Sequence, residues 1–236
     1  MIGTGLKFID SHSNQGALSF DQMKPLNMFF RARSRQRHFN LTNAKVIRHL
    51  KSNSFKPQKQ LKDLSLQWKN LALRQSNLKA SALLLNLDDG SFASLAPNVA
   101  LPAASSIKAP ILLVALKMLD SRQLKWNESL QLNKEVIGGG AGWMAFEPLG
   151  TTFPIHEVAT EMIRVSDNTA TNLLIDRIGG RDPLNNYFKD LGLSSTVFNN
   201  WLPDLSGTNT TSVRDLVLTM ALVDSGEALS LRSRDL

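Results

Sequence analysis

The sequence predicts a protein of the α+β class, and three observations support this. A β-hairpin pattern spans residues 80–95, an apolar helix opens soon after it near Ser105, and amphipathic helical patterns follow. The composition, with 42% hydrophobic and 20% charged residues, is that of an ordinary globular protein. The chain contains no apolar run of about eighteen residues, so no transmembrane helix is predicted.

The hairpin is defined by two strand patterns around a turn. Residues 80–87, Ala-Ser-Ala-Leu-Leu-Leu-Asn-Leu, predict the first strand, and residues 91–95, Ser-Phe-Ala-Ser-Leu, predict the second. Asp88-Asp89-Gly90 supplies the turn between them. Upstream, apolar residues recur at helical spacing between Leu61 and Leu73 and predict a helix of about three turns.

Four helical segments are predicted after the hairpin. Pro110 places the start of the first near Ser105, because proline is tolerated in the first turn of a helix and disfavoured deeper. Gly179-Gly180 closes the third, and a capping box of Ser212 and Asp215 opens the last. The four segments are residues 105–119, 155–165, 169–178 and a helix starting near residue 211, while the glycine-rich residues 138–142 predict a loop.

Charge divides the chain into two parts. Residues 1–80 hold 15 Lys and Arg against 3 Asp and Glu, whereas the remainder holds 12 against 17, for a net charge of +7. The densest block, residues 31–37, is typical of a solvated basic arm, so we expect at most weak contact with anionic surfaces and no specific nucleic-acid binding. Residues 1–58 are therefore predicted to be an N-terminal extension and residues 59–236 the folded domain.

Ser105 and Lys108 are a candidate nucleophile and base. Three residues apart on a helix, they lie on one face. A serine at the helix N-terminus sits where developing negative charge is stabilised, and the lysine can accept its proton if burial disfavours the ammonium. The alternative is a helix-capping serine beside a surface lysine, and this pair alone does not decide between the two.

Ser166-Asp167-Asn168 interrupts two helical segments and is a second candidate group. Its serine can relay a proton between a lysine and a leaving nitrogen, and its asparagine can hydrogen-bond a substrate amide. The alternative is an interhelical turn whose polar side chains cap locally.

The two motifs together resemble the class A serine β-lactamases and their penicillin-recognising relatives. A serine and lysine open a helix after a hairpin, and Ser-Asp-Asn follows 61 residues after the serine, within the string SDNTATNLLIDRIGG. The resemblance covers residues 60–236. It implies an antiparallel sheet flanked by helices, an all-helical lobe and a cleft between them.

Residue roles follow from the same resemblance. It implies that Ser105 is the nucleophile, Lys108 its base, Ser166 the proton relay and Asn168 a ligand of the substrate amide. Trp143 lies where the family often places an aromatic wall of the cleft. The alternative for Trp143, a loop tryptophan that covers the core, remains open.

The chain departs from the family pattern at the hydrolytic loop. The family's loop resembles W-E-P-E-L-N, and its glutamate activates the water that hydrolyses the acyl-enzyme. Trp201-Leu202-Pro203-Asp204-Leu205-Ser206 places leucine at that glutamate and Ser206 at the asparagine. Because leucine cannot act as a general base, and Asp204 would serve only in a rearranged loop, we expect acylation to survive and deacylation to be slow.

A second departure is the lack of a K-[ST]-G triplet. In the family that motif belongs to C-terminal strands, which complete the sheet and supply one amide of the oxyanion hole. The resemblance therefore implies that these strands are missing from this chain. Three interpretations stay open: a truncated reading frame, a fragment whose C-terminal segment is missing, and one half of a split protein whose partner carries the strands.

The predicted function is that of a serine hydrolase acting on β-lactam amides. Two alternatives remain: a D-alanyl-D-alanine peptidase or transpeptidase relative, favoured by the loop, and a non-catalytic penicillin-recognising remnant, favoured by the missing strands. The expected partner is a β-lactam or a peptidoglycan peptide, with no cofactor and no metal, since the histidines lack ligand spacing. Family members usually work in the periplasm or outside the cell, but residues 1–16 lack a signal-peptide pattern, so the compartment stays open.

Overall fold

The computed structural model describes residues 56–75 and 77–235, so most of the predicted basic arm lies outside the described residues. The described chain is a mixture of helices and small sheets, which confirms the α+β class. The helices are α1 (Lys62–Leu73), α2 (Lys108–Asp120), α3 (Ile155–Arg164), α4 (Asn168–Ile178), α5 (Arg181–Asp190), α6 (Val213–Asp224) and α7 (Leu231–Arg234). The strands are β1 (Lys59–Gln60), β2 (Ala82–Leu85), β3 (Ser91–Leu95), β4 (Leu101–Pro102), β5 (Ser129–Gln131), β6 (Thr152–Pro154) and β7 (Thr210–Thr211). None of the helices described here has the length and apolar character that a bilayer crossing requires.

The predicted hairpin is present as β2 and β3, which pair antiparallel with Ala82 opposite Leu95 and Leu85 opposite Phe92. The first strand is shorter than predicted because the turn already begins at Asn86. The Asn86 side chain accepts the Asp88 N–H at 2.9 Å, and its carbonyl accepts the Gly90 N–H, also at 2.9 Å. β1 adds to β3 in parallel.

The other edge of β2 pairs with no strand of the described residues, since the sheet order is β1-β3-β2. Beside it lies an apolar groove of about 400 Å³, whose lining includes Leu85, Ser106, Leu216 and Met220. Met220 is 55% exposed in this groove. Among the described residues β2 is therefore an edge strand, and Ser106, next to Ser105, lines the same groove as Leu85 of β2.

α2 is the central helix of the fold and packs against helices on several sides. Ile111, Val114 and Ala115 are fully buried, as expected for a helix that is apolar around most of its circumference. Its start differs from the prediction, because residues 104–107 form a 3₁₀ turn and the α-helix begins at Lys108. Ser105 thus lies in the tighter turn that leads into α2, and Pro110 occupies the first turn of the helix.

Several elements were not predicted. α5 buries Leu184 and Phe188, four residues apart, but the polar residues around them hide this apolar stripe. Strands of two or three residues, such as β5 and β6, are too short to show a period in the sequence. α3 and α4 fall within two residues of their predicted bounds.

The capping box predicted for α6 is only half formed. Ser212 accepts the Asp215 N–H at 3.2 Å, which confirms the cap. The Asp215 carboxylate instead accepts hydrogen bonds from the Ser195 N–H at 2.7 Å and the Thr196 hydroxyl at 3.0 Å. It therefore ties the preceding loop to α6 and does not return to the Ser212 backbone.

Candidate active site

Three predicted side chains from two separate elements meet at the start of α2. Lys108 Nζ lies 3.3 Å from Ser105 Oγ and 2.9 Å from Ser166 Oγ. Ser166 Oγ in turn lies 2.9 Å from Ser105 Oγ. The two hydroxyls and the amine therefore form a closed triangle in which a proton can pass between any two members.

Lys108 is the buried centre of this group and is only 2% exposed. Its amine also donates to the Ser166 carbonyl at 2.6 Å and to Asn168 Oδ1 at 2.9 Å. Burial lowers the pKa of Lys108 from 10.5 to about 8, against the opposing effect of the Asp167 negative charge. A pKa near 8 leaves an appreciable neutral fraction near neutral pH, which is the form that can accept a proton.

The corner between α3 and α4 directs Ser166 toward Lys108. Ser166 has a φ of 60°, a left-handed conformation that few non-glycine residues adopt. Asp167 caps α4 by accepting the Ala170 N–H at 2.9 Å. Local capping, the alternative for this motif, is thus the role of its aspartate, while the residues on either side face Lys108.

The glycine-rich loop packs directly against this corner. Asn168 Nδ2 donates to the Gly139 carbonyl at 2.8 Å. A Cβ on Gly142, which has a φ of +97°, would lie 2.1 Å from the Asp167 carboxylate, and one on Gly138 would lie 2.3 Å from the Leu202 carbonyl. The loop was predicted, but its contact with Asn168 and Asp167 was not.

Trp143 ends this loop and is anchored at both its backbone and its ring. Its N–H donates to Asp167 Oδ2 at 2.7 Å, and its indole N–H donates to Glu161 Oε2 at 2.7 Å. The ring packs edge-on against Phe153, with centroids 5.8 Å apart, and the residue remains 36% exposed. It partly covers the core, in line with the alternative, and its role as a cleft wall stays a prediction.

The sequence analysis missed Glu161, although a signal was available. It is a carboxylate on the apolar face of α3, between Val158 and Met162, and is 7% exposed. Its carboxylate pairs with Arg164 at 2.8 Å. This pair and the Trp143 indole hold the pKa of Glu161 below its usual range.

The loop that carries Leu202 is held against α4. Leu202 is 5% exposed, and its backbone N–H and carbonyl bond the Asn172 side chain at 2.9 Å and 2.8 Å. Asp204 accepts the Asn209 N–H at 2.6 Å and the Thr208 hydroxyl at 3.1 Å, so its carboxylate is engaged within its own loop. The predicted position of the general base is therefore a buried hydrocarbon side chain.

The described residues contain no group of three or more His, Cys, Asp or Glu that could hold a metal ion. Two serine hydroxyls, one lysine amine with a lowered pKa and one carboxamide are the chemical groups present at the site. These groups suit nucleophilic attack and proton transfer.

This chain resembles known proteins over most of its length. The model of the β-lactamase enzyme family matches residues 58–236. The structure of PBP-A is 42% identical, with a TM-score of 0.75 over 77% of this chain and 68% of that chain. A leucine-to-glutamate variant of PBP-A, solved as an acyl-enzyme complex with penicillin G, has the same identity of 42% and the same TM-score of 0.75, over 77% of this chain and 69% of that chain.

Other relatives are more distant. β-Lactamase BRO-1 of Moraxella catarrhalis is 28% identical over 61% of this chain, which spans 44% of that relative's length. The structure of an ancestral class A β-lactamase is 24% identical and shares the fold, with a TM-score of 0.64 over 73% of this chain and 68% of that chain. From its α+β fold, its Ser-x-x-Lys and Ser-Asp-Asn geometry and these matches, we conclude that the chain belongs to the β-lactamase enzyme family.

Proposed function

We propose that this protein is a penicillin-recognising serine hydrolase that opens β-lactam amides by forming an acyl-ester on Ser105, and that it releases the acyl group slowly. The observation that carries the proposal is the contact of both serine hydroxyls with Lys108, a buried amine with a lowered pKa. The penicillin G acyl-enzyme of the PBP-A variant supports the choice of substrate.

Acylation needs one nucleophile and one proton path. Ser105 Oγ attacks the lactam carbonyl carbon while its proton passes to neutral Lys108, either directly over 3.3 Å or through Ser166 over two contacts of 2.9 Å. The tetrahedral intermediate then collapses, and the lactam C–N bond breaks. Lys108 returns the proton through Ser166 to the leaving nitrogen, so the base is regenerated and the acyl group stays on Ser105.

Deacylation needs a second base to activate water, and the loop offers none in the expected place. Leu202 is apolar and buried, and Asp204 is held by Asn209 and Thr208. Without general-base catalysis a step slows by roughly a hundredfold to ten-thousandfold. The acyl-enzyme is therefore expected to persist after the first turnover.

The same loop favours a second candidate, a D-alanyl-D-alanine peptidase or transpeptidase relative. Such an enzyme would use the same acylation at Ser105 and pass the acyl group to an acceptor other than water activated by a glutamate. The specific observation in its favour is Leu202, whose side chain can neither donate nor accept a proton.

The decisive experiment is an intact-mass time course of the purified chain with penicillin G. We expect one adduct of one drug mass that persists, because the site has a nucleophile and a base for attack by Ser105 but no general base in the loop for deacylation. Ser105→Ala removes the nucleophile and is expected to form no adduct. Leu202→Glu restores a carboxylate at the hydrolytic position and is expected to shorten the adduct lifetime.

The outcomes separate the candidates. Rapid steady-state consumption of penicillin G without a persistent adduct would contradict slow deacylation. Release of the acyl group only when an amine acceptor is added would favour the peptidase or transpeptidase. If the protein forms no adduct and consumes no drug, the proposal is refuted and the non-catalytic alternative is favoured.

A further inference from the structure

A closed set of hydrogen bonds joins three residues at the edge of the site. The Trp143 indole N–H donates to the Glu161 carboxylate at 2.7 Å, and the Trp143 backbone N–H donates to the Asp167 carboxylate at 2.7 Å. The Asp167 backbone N–H donates to the Glu161 carbonyl at 3.1 Å. Each residue is therefore bonded to the other two, and Ser166 lies within the segment that they enclose.

We propose that Glu161 is a positioning residue: through the Trp143 indole it holds the glycine-rich loop against the Ser166-Asp167-Asn168 corner in the geometry that binds substrate. The inference rests on the proposed function for its kinetic consequence. Its structural part, the anchoring of Trp143, does not depend on any substrate.

The burial of Glu161 argues for this role. A buried carboxylate is costly unless it is paired and hydrogen-bonded, and the Glu161 side chain is 9% exposed. Arg164 offsets part of that cost, but its side chain is 62% exposed, so the ion pair is weakened by solvent. Arg164 holds both carboxylate oxygens, at 2.9 Å and 2.8 Å, and the indole N–H adds a third charge-assisted hydrogen bond at 2.7 Å, which is the one that reaches the glycine-rich loop.

Loss of the contact between Glu161 and Trp143 would affect substrate binding through the glycine-rich loop and not through the nucleophile. Gly139 lies four residues before Trp143, and its carbonyl accepts a hydrogen bond from the Asn168 side-chain amide at 2.8 Å. The Asn168 backbone N–H donates to the Ala141 carbonyl at 3.1 Å. Loosening Trp143 therefore releases the loop that orients Asn168, the predicted ligand of the substrate amide. Lys108 also donates to Asn168 Oδ1 at 2.9 Å, but its contacts with Ser105 Oγ and Ser166 Oγ do not involve Glu161 or the loop, so we expect the attacking group and its base to stay in place.

The expected effect is a split between substrate affinity and the chemical step. Replacing Glu161 by Leu removes the acceptor of the indole, and the penicillin G concentration that half-saturates acylation should rise about tenfold, which corresponds to about 1.4 kcal/mol. The limiting acylation rate should stay within about twofold, because interactions that serve binding alone change saturation and not the rate constant. Glu161→Gln retains an oxygen acceptor and should restore the half-saturating concentration.

The experiment combines this kinetic measurement with NMR of the indole N–H groups in the ligand-free protein. The chain has four tryptophans, and Trp143→Phe assigns the Trp143 signal by its loss. In Glu161→Leu that signal should shift and exchange faster with water, whereas Glu161→Gln should retain its protection. Glu157→Leu, a charge removal one turn earlier on the same helix, is the matched control and should change neither measurement.

Two results would overturn the inference. An unchanged Trp143 signal in Glu161→Leu would show that the carboxylate does not hold the ring. A fall in the limiting rate equal to the change in saturation would show a general structural role. If wild-type protein forms no adduct, the proposed function has failed, and the indole signals alone decide whether Glu161 anchors Trp143.

Discussion

The environment of Lys108 makes a quantitative prediction about pH. If neutral Lys108 accepts the Ser105 proton, acylation follows the neutral fraction of an amine whose pKa burial lowers to about 8. That fraction is about a tenth at pH 7 and about nine tenths at pH 9, so the acylation rate should rise about tenfold between them. An ordinary lysine with a pKa of 10.5 would still be almost fully charged at pH 9.

The assay is the second-order rate constant for adduct formation at low penicillin G concentration, measured by quenched intact mass from pH 6 to pH 10. This constant reports ionisations of the free protein. Ser105→Ala, measured in parallel, corrects for spontaneous opening of the drug at high pH. A rate that is flat between pH 7 and pH 9, or that has its midpoint near 10.5, would refute the role of Lys108 as the base.

The same pKa makes a prediction about stability. Between pH 8 and 10.5 the unfolded chain keeps the Lys108 proton while the folded protein has lost it, so the free energy of unfolding increases as pH rises through this range. The burial cost of the ammonium, about 3 kcal/mol, is fully present below pH 8 and disappears above 10.5. Urea unfolding of wild type against Lys108→Met should show this difference, and a pH-independent difference would contradict it.

Two further predictions concern the contacts of the loops. Gly142→Ala should lower the free energy of unfolding by at least about 2 kcal/mol, because the added Cβ would clash with Asp167 at a residue of positive φ. Gly139→Ala is the control and should change that free energy little, since a Cβ there meets nothing within 4 Å. Equal melting temperatures for the two variants would contradict this prediction. Asn172→Ala removes both hydrogen bonds to the Leu202 backbone. It should lower the free energy of unfolding, measured in urea, by about 2 kcal/mol and speed proteolysis in the Leu202 loop. An unchanged proteolysis rate would mean that other contacts hold the loop.

The sequence alone predicted those features that depend on residues close to one another along the chain. The hairpin followed from two short strand patterns around Asp88-Asp89-Gly90, and α3 and α4 from their apolar period and the closing glycines. The meeting of Ser105 and Lys108 with Ser166 was expected through the family resemblance, and the structure places these groups within 3.3 Å of one another. The boundary between the basic arm and the domain, and the roles of the site residues, stay predictions.

The tertiary structure decided what no local spacing encodes. Three features depend on residues that are distant in sequence. They are the burial that lowers the Lys108 pKa, the close packing of Gly142 against Asp167, and the hydrogen bonds between Asn172 and the Leu202 backbone. The position of Glu161 between Val158 and Met162 was a signal in the sequence, but only packing shows that its carboxylate is bonded to the Trp143 indole. Local pattern determines which elements form, whereas desolvation and hydrogen-bond partners depend on how the elements pack, and these decide the chemistry of the site.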